Sequence, residues 1–99
     1  MAVDRPSPGD HGRSEVRERA ALGRVLAREQ RRLGARLRNL RLARQLSQED
    51  AAERIGLSAK HLRRIELGQS NVTLATLVAL SVAYAVPVPA LFARVGRTA

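Results

Sequence analysis

The 99-residue sequence contains no cysteine and no tryptophan, and its only aromatic residues are Tyr84 and Phe92. Without cysteine there is neither a disulfide framework nor a thiolate metal site, and a reducing compartment is permitted. Two aromatics are too few for the stacking platforms on which single-strand binders hold bases. No segment approaches the roughly 20 apolar residues needed to span a bilayer, and no apolar run resembles a signal peptide, so a cytoplasmic location is expected. Neither a GxxxxGK[ST] loop nor a GxGxxG loop occurs. His11 and His61 stand apart and do not make a zinc site. Glu49, Asp50 and Glu53 form the only acidic cluster, which helix-dipole compensation explains. No catalytic residue, metal site or cofactor is expected, and the chain does not read as an enzyme.

What is abundant is positive charge. Basic residues outnumber acidic ones 18 to 9, giving a net charge of +9 and a pI near 11.7. That balance favours a polyanionic partner, either nucleic acid or an anionic membrane surface, and composition does not choose between them. Lys60 is the only lysine, so the remaining basic residues are arginines, which suit bidentate contacts to phosphate or guanine. A GC-rich coding genome would produce the same excess of arginine and alanine. The length allows one small domain with a core drawn from a few helices.

Residues 1–13 hold two prolines and two glycines with little to bury, and read as a disordered tail. Ser14 is a plausible N-cap, with Glu15 and Glu18 in the first turn. No proline follows before Arg44, and Leu22, Leu26, Leu33, Leu37 and Leu40 fall near one helical stripe. Gly23 and Gly34 each weaken a helix by roughly 1 kcal/mol relative to alanine. Gly34 is therefore the expected break, separating an N-terminal helical extension, 14–32, from a core domain, 33–93, with a short tail over 94–99.

The next helix has a clear start: Ser47 can cap it, with Asp50 three residues on as in a capping box. Ala51, Ala52 and Ile55 supply its apolar side, and Gly56 suits the left-handed residue that ends a helix. Ser58 can cap a third helix, about Ala59 to Leu67, that buries Leu62 and Ile65 while Lys60, His61, Arg63 and Arg64 point outward. Gly68 ends it. Small Ala52 suits two helices crossing steeply at close range.

Over about Leu33 to Phe92 this pattern resembles the lambda-repressor-like, or Xre/Cro-type, helix-turn-helix family. The LSQED start of helix two, the AAERIGLS turn, the IELG end of helix three and TLATLVALSVAYAV followed by VPALF carry the resemblance. It implies an all-α, five-helix DNA-binding domain, here with an extra N-terminal helix. It further implies that Gln48 contacts a phosphate and braces the recognition helix, while Ser58, Ala59, Lys60 and Arg64 face the major groove. His61, Arg63 and Gln69 complete the expected DNA-binding set. Apart from that resemblance, Lys60, Arg63 and Arg64 read as a solvated helix face. Arg64 has the chemistry to read guanine, Lys60 can reach a base or a phosphate, and Ala59 at most touches a thymine methyl. Arg41 and Glu66 match a family pair that forms a structural salt bridge. Three residues depart from the pattern: Gln45 and Ala85 stand where glycine is usual, and Leu67 replaces a common asparagine.

In the fourth helix, Leu74 to Ala85 after Thr73, only Thr76, Ser81 and Tyr84 are polar. A helix apolar all round is generally buried all round. The outer face is therefore expected to meet either the N-terminal helix of the same chain or another subunit; an alanine-rich exposed face is the plainer alternative. Pro87 and Pro89 precede a short last helix whose Leu91, Phe92 and Val95 are expected to close the core and leave an apolar edge; together with Val78, Ala79 and Val82 they form the expected interface. The resulting expectation is a bacterial or phage transcriptional regulator of the Xre family, a repressor that binds double-stranded DNA as a homodimer. Two rivals are an antitoxin-type module that also binds its operator and contacts a protein partner through the N-terminal helix, and a basic amphipathic helix, 14–44, on anionic membrane. No membrane partner is expected on the main reading.

Overall fold

The proline-free segment of leucine and arginine forms one continuous helix, not two. In the computed structural model, which describes residues 11–95, α1 spans His11–Ala43. The chain continues through α2, Gln48–Ile55, α3, Ala59–Glu66, and α4, Leu74–Tyr84, to a 3-10 turn, Val88–Phe92. The described residues thus hold four α-helices and no strand. The expected fifth helix is only a 3-10 turn, because Pro87 and Pro89 remove two backbone donors within three residues. Ser14 does not cap α1, since the helix is already running from His11. The rest of the expected N-terminal tail, residues 1–10, and residues 96–99 of the C-terminal one lie outside the described residues.

Gly34 does not break α1, and its burial shows why it is there. A Cβ at Gly34 would sit 2.6 Å from the carbonyl oxygen of Ile65, in contact with that of Glu66, and 2.8 Å from the Glu66 carbonyl carbon. The glycine is a notch that lets the end of α3 rest on the α1 backbone. Gly23, by contrast, faces open space.

Leu33, Leu37 and Leu40 of α1 join Ala51, Ala52, Ile55, Leu62, Ile65, Leu80, Tyr84 and Leu91 in one core. Leu22 and Leu26 lie on the same stripe yet remain exposed, so the N-terminal half of α1 stands off the domain. At 33 residues and 1.5 Å per residue, α1 is about 50 Å long, close to the 56 Å long dimension of the molecule. A helix this straight does not return over the outer face of α4. Leu74, Val78 and Val82 stay exposed, Val82 at 75%, and the expected cover from the same chain is absent. Ala79 is half-buried against the core, Phe92 likewise, and Val95 is exposed. Leu91 is fully buried: it closes the core and is not available to an interface.

Both departures from glycine take left-handed backbone, Gln45 at φ 57° and Ala85 at φ 54°. At Ala85 the helix end is held by Val86 N–H donating to Ser81 O at 3.1 Å and by Ser81 Oγ donating to Val86 O at 2.6 Å. A side chain there costs about 1 kcal/mol relative to glycine.

Tyr84 is the largest fully buried side chain. Arg44 lies over its ring, 5.4 Å from the centroid, and donates to the Tyr84 carbonyl, tying the end of α1 to the end of α4. Among the described residues the Tyr84 hydroxyl has no hydrogen-bond partner. Burial pushes its ionisation above the ordinary 10.0, reinforced by Glu66 and opposed by Arg41 and Arg44. The unfolded chain then loses the phenolic proton first. The resulting stability is fully present below pH 10.0 and is lost as pH rises through the raised folded value. Thermal melting of Tyr84→Phe is accordingly expected to fall less than that of the wild type above pH 10.0. At neutral pH the variant should be at least as stable, since a buried hydroxyl without a partner costs about 1 to 3 kcal/mol. A variant that melts lower at neutral pH would show that the hydroxyl is bonded.

Candidate nucleic-acid interface

The turn between α2 and α3 is built from local chemistry. Ser47 Oγ accepts from the Asp50 N–H at 3.0 Å and starts α2. Gly56, at φ 92°, ends it, with Leu57 N–H donating to Ala52 O at 2.9 Å. Two residues on, Ser58 Oγ accepts from the His61 N–H at 3.0 Å and starts α3. Buried Ala51 and Ala52 keep the two helix axes close. The end of α3 is a Schellman motif around Gly68 at φ 73°: Gln69 N–H donates to Arg64 O at 2.9 Å and Gly68 N–H to Ile65 O at 3.0 Å.

Leu62 and Ile65 are buried against α1 and α2, which turns Lys60, Arg63, Arg64 and Leu67 to solvent. These four fall on one helical stripe at i, i+3, i+4 and i+7. Ala59 is half-buried at the rim of the core, His61 is half-buried and Gln69 is exposed. The outward face of α3 is therefore one lysine and two arginines without an acid, on a helix held from behind.

The holding is done chiefly by a buried ion pair. Arg41 Nε donates to Glu66 Oε2 at 2.8 Å and Nη2 to Oε1 at 3.0 Å, with side-chain exposures of 10% and 3%. Arg41 Nη1 also donates to Leu46 O at 3.0 Å. The bond to Glu66 holds the Arg41 guanidinium above its ordinary pKa against the opposing effect of burial. Gln48 Nε2 donates to Glu66 Oε1 at 3.2 Å, so α2 grips the same carboxylate. One amide hydrogen of Gln48 and the hydroxyl proton of Ser58 are left as donors, both at helix starts where an anion is favoured.

Two supports were not legible as such. Gln30 Nε2 donates to Ser70 O at 3.2 Å and to Asn71 Oδ1 at 2.8 Å, clamping the connection after α3 to α1. Gly34 is the other; the usable signal is that it stands seven residues before Arg41, on the side of α1 that meets α3. Among the described residues no group of three His, Cys, Asp or Glu could hold a metal, and no helix is long and apolar enough to cross a membrane.

Residues 32–95 match a family model described as a helix-turn-helix domain. The chain is similar to the restriction-modification controller protein C.AhdI from Aeromonas hydrophila, 38% identical with a TM-score of 0.61 over 64% of this chain and 96% of that one. It is also similar to an HTH_3 family transcriptional regulator from Vibrio cholerae, 31% identical with a TM-score of 0.64 over 68% of this chain. The likeness spans 38% of that regulator's length. No curated protein matches the chain. The family match begins at residue 32, so the N-terminal part of α1 lies outside it.

Proposed function

The chain belongs to the helix-turn-helix domain family, and from that premise we propose that it binds double-stranded DNA sequence-specifically and represses transcription as a homodimer. The observation that carries the reading is the α3 face: Lys60, Arg63 and Arg64 exposed on a helix whose other side is fixed by Gly34, Gln48 and the Arg41 to Glu66 pair. Arg64 reads a guanine, Lys60 a base or phosphate, and Ser58 and Gln48 hold the register on the backbone. In a two-fold dimer two such helices enter successive major grooves, about 34 Å apart. A repressor of this kind acts by occupying its operator.

Arg64→Ala is expected to reduce discrimination between a preferred duplex and its mismatched versions by about 5- to 150-fold, the range for a lost bidentate contact of ~1 to 3 kcal/mol. Binding to unrelated DNA should change little. An equal loss on all duplexes, measured by fluorescence anisotropy, would make Arg64 a phosphate contact. For the dimer, the exposed Leu74, Val78 and Val82 of α4 supply the apolar surface. Placing a charge there with Val82→Glu should weaken self-association in sedimentation while leaving a helical, folded monomer by circular dichroism, and unchanged sedimentation would remove α4 from the interface.

A further inference from the structure

Six arginines of α1, Arg13, Arg17, Arg24, Arg28, Arg31 and Arg38, are all exposed. At 3.6 residues per turn they fall within an arc of about 80° and extend over about 37 Å. The acids in the same stretch, Glu15, Glu18 and Glu29, all lie more than about 100° from the centre of that arc. A helix face serving only solubility gains by mixing signs, because like charges at i,i+3 and i,i+4 each destabilise a helix by roughly 0.2–0.5 kcal/mol. Here Arg13 with Arg17, Arg24 with Arg28, and Arg28 with Arg31 are such pairs. A polyanion relieves that repulsion.

The stripe is continuous with the recognition helix and rigidly registered to it. A Cβ at Gly68 would lie 3.2 Å from the Arg31 Cα, so the end of α3 rests on α1 at the stripe itself. Arg31, Ala35 and Arg38 share a surface depression with Leu67, the last residue of the outward Lys60, Arg63, Arg64 and Leu67 row. Gly34 in contact with the end of α3 and Gln30 bonded to Ser70 and Asn71 fix the angle between the two helices.

We propose that the arginine face of α1 is a second DNA-contacting surface, which binds the phosphates of duplex flanking the site read by α3. This extends the DNA-binding reading above and rests on it. The surface carries no base-reading geometry: it adds affinity and salt dependence, and lengthens the footprint by up to about eleven base pairs at 3.4 Å each. The apolar side of α1 faces away from it and remains available to the domain.

The test uses the full chain and two duplexes of one sequence recovered by selection, one of about 20 base pairs and one of about 40. Dissociation constants are measured across a salt series. For the wild type the slope of log Kd against log salt should be steeper on the long duplex by at least about 2, at roughly 0.9 for each phosphate neutralised. The variant carrying Arg13→Gln, Arg17→Gln, Arg24→Gln and Arg28→Gln should lose that difference and bind the long duplex at least 10-fold more weakly, on the order of two phosphate contacts. Its sequence preference should be unchanged, and the matching Arg→Lys variant should retain the slope. Equal wild-type slopes on the two duplexes, which need no variant, overturn the proposal. Binding to phosphatidylserine vesicles that is lost in the glutamine variant, with equal slopes on DNA, assigns the stripe to a membrane and also overturns it. Wild-type binding without any sequence preference defeats the α3 reading instead, and leaves the slope comparison to decide on the stripe.

Discussion

Gly34→Ala should destabilise the domain by about 2 kcal/mol or more, whereas Gly23→Ala, eleven residues earlier on the same helix, should stabilise it by up to ~1 kcal/mol. Helix propensity alone gives the two changes one sign. The difference is what the new methyl group meets: open space at Gly23, and the backbone of Ile65 and Glu66 at Gly34. Backbone carbonyls cannot swing aside as a flexible side chain does, so α3 must move off α1. With domain stabilities of about 5–15 kcal/mol, Gly34→Ala is expected to leave a folded but loosened protein and Gly34→Val an unfolded one. Chemical denaturation followed by circular dichroism separates these outcomes. If Gly34→Ala is as stable as the wild type, the close crossing of α1 and α3 is wrong. Because α3 is displaced, DNA affinity should fall with Gly34→Ala even where the protein is folded.

Glu66→Ala should be the costliest single change in the ion pair, at about 3–5 kcal/mol. It leaves the Arg41 guanidinium almost wholly enclosed, and arginine cannot escape by losing its proton. Gln48 loses its acceptor at the same time. Replacing both partners by residues of similar volume, Arg41→Met with Glu66→Met, should recover most of the stability, because the desolvation of two charges disappears along with their attraction. The double variant should nevertheless bind DNA less selectively, since three hydrogen bonds that orient α3, two from Arg41 and one from Gln48, are gone. Equal stability of Glu66→Ala and wild type in urea would place the pair in solvent. A double variant with full selectivity would confine its role to stability.

Much of this architecture was legible because short-range chemistry wrote it. Ser47, Ser58 and Thr73 each cap the helix that follows, and Gly56 and Gly68 take the left-handed backbone their positions suggested. The Arg41 to Glu66 pair, implied by the family resemblance, forms with both carboxylate oxygens engaged. The extent of α1 was not legible. A glycine in a helical pattern signals either a break or a close approach, and only the neighbour that arrives from 32 residues later, Glu66, decides which. The outer face of α4 was ambiguous in a similar way: of its two expected covers, the N-terminal helix of the same chain is excluded, because a continuous α1 has no turn with which to come back over Leu74, Val78 and Val82. Leu91 shows the same limit, since position alone did not separate core from edge behind two prolines. The arginine stripe was present in the sequence throughout. Five of its six arginines precede Gly34, and arginines of the N-terminal helix are readable from the sequence alone as phosphate contacts; the continuity of α1 adds Arg38 and fixes the register of the stripe to α3.

The central claim is that the outward face of α3 reads DNA sequence, and selection of bound duplexes from a random library tests it most directly. The wild type should enrich one motif with two half-sites about one helical turn apart, ~34 Å. Selection with Lys60→Ala and Arg64→Ala should change the preferred bases at specific positions of each half-site while Tyr84→Phe returns the wild-type motif. Enrichment of no motif, or of the same motif by all four proteins, would contradict the account.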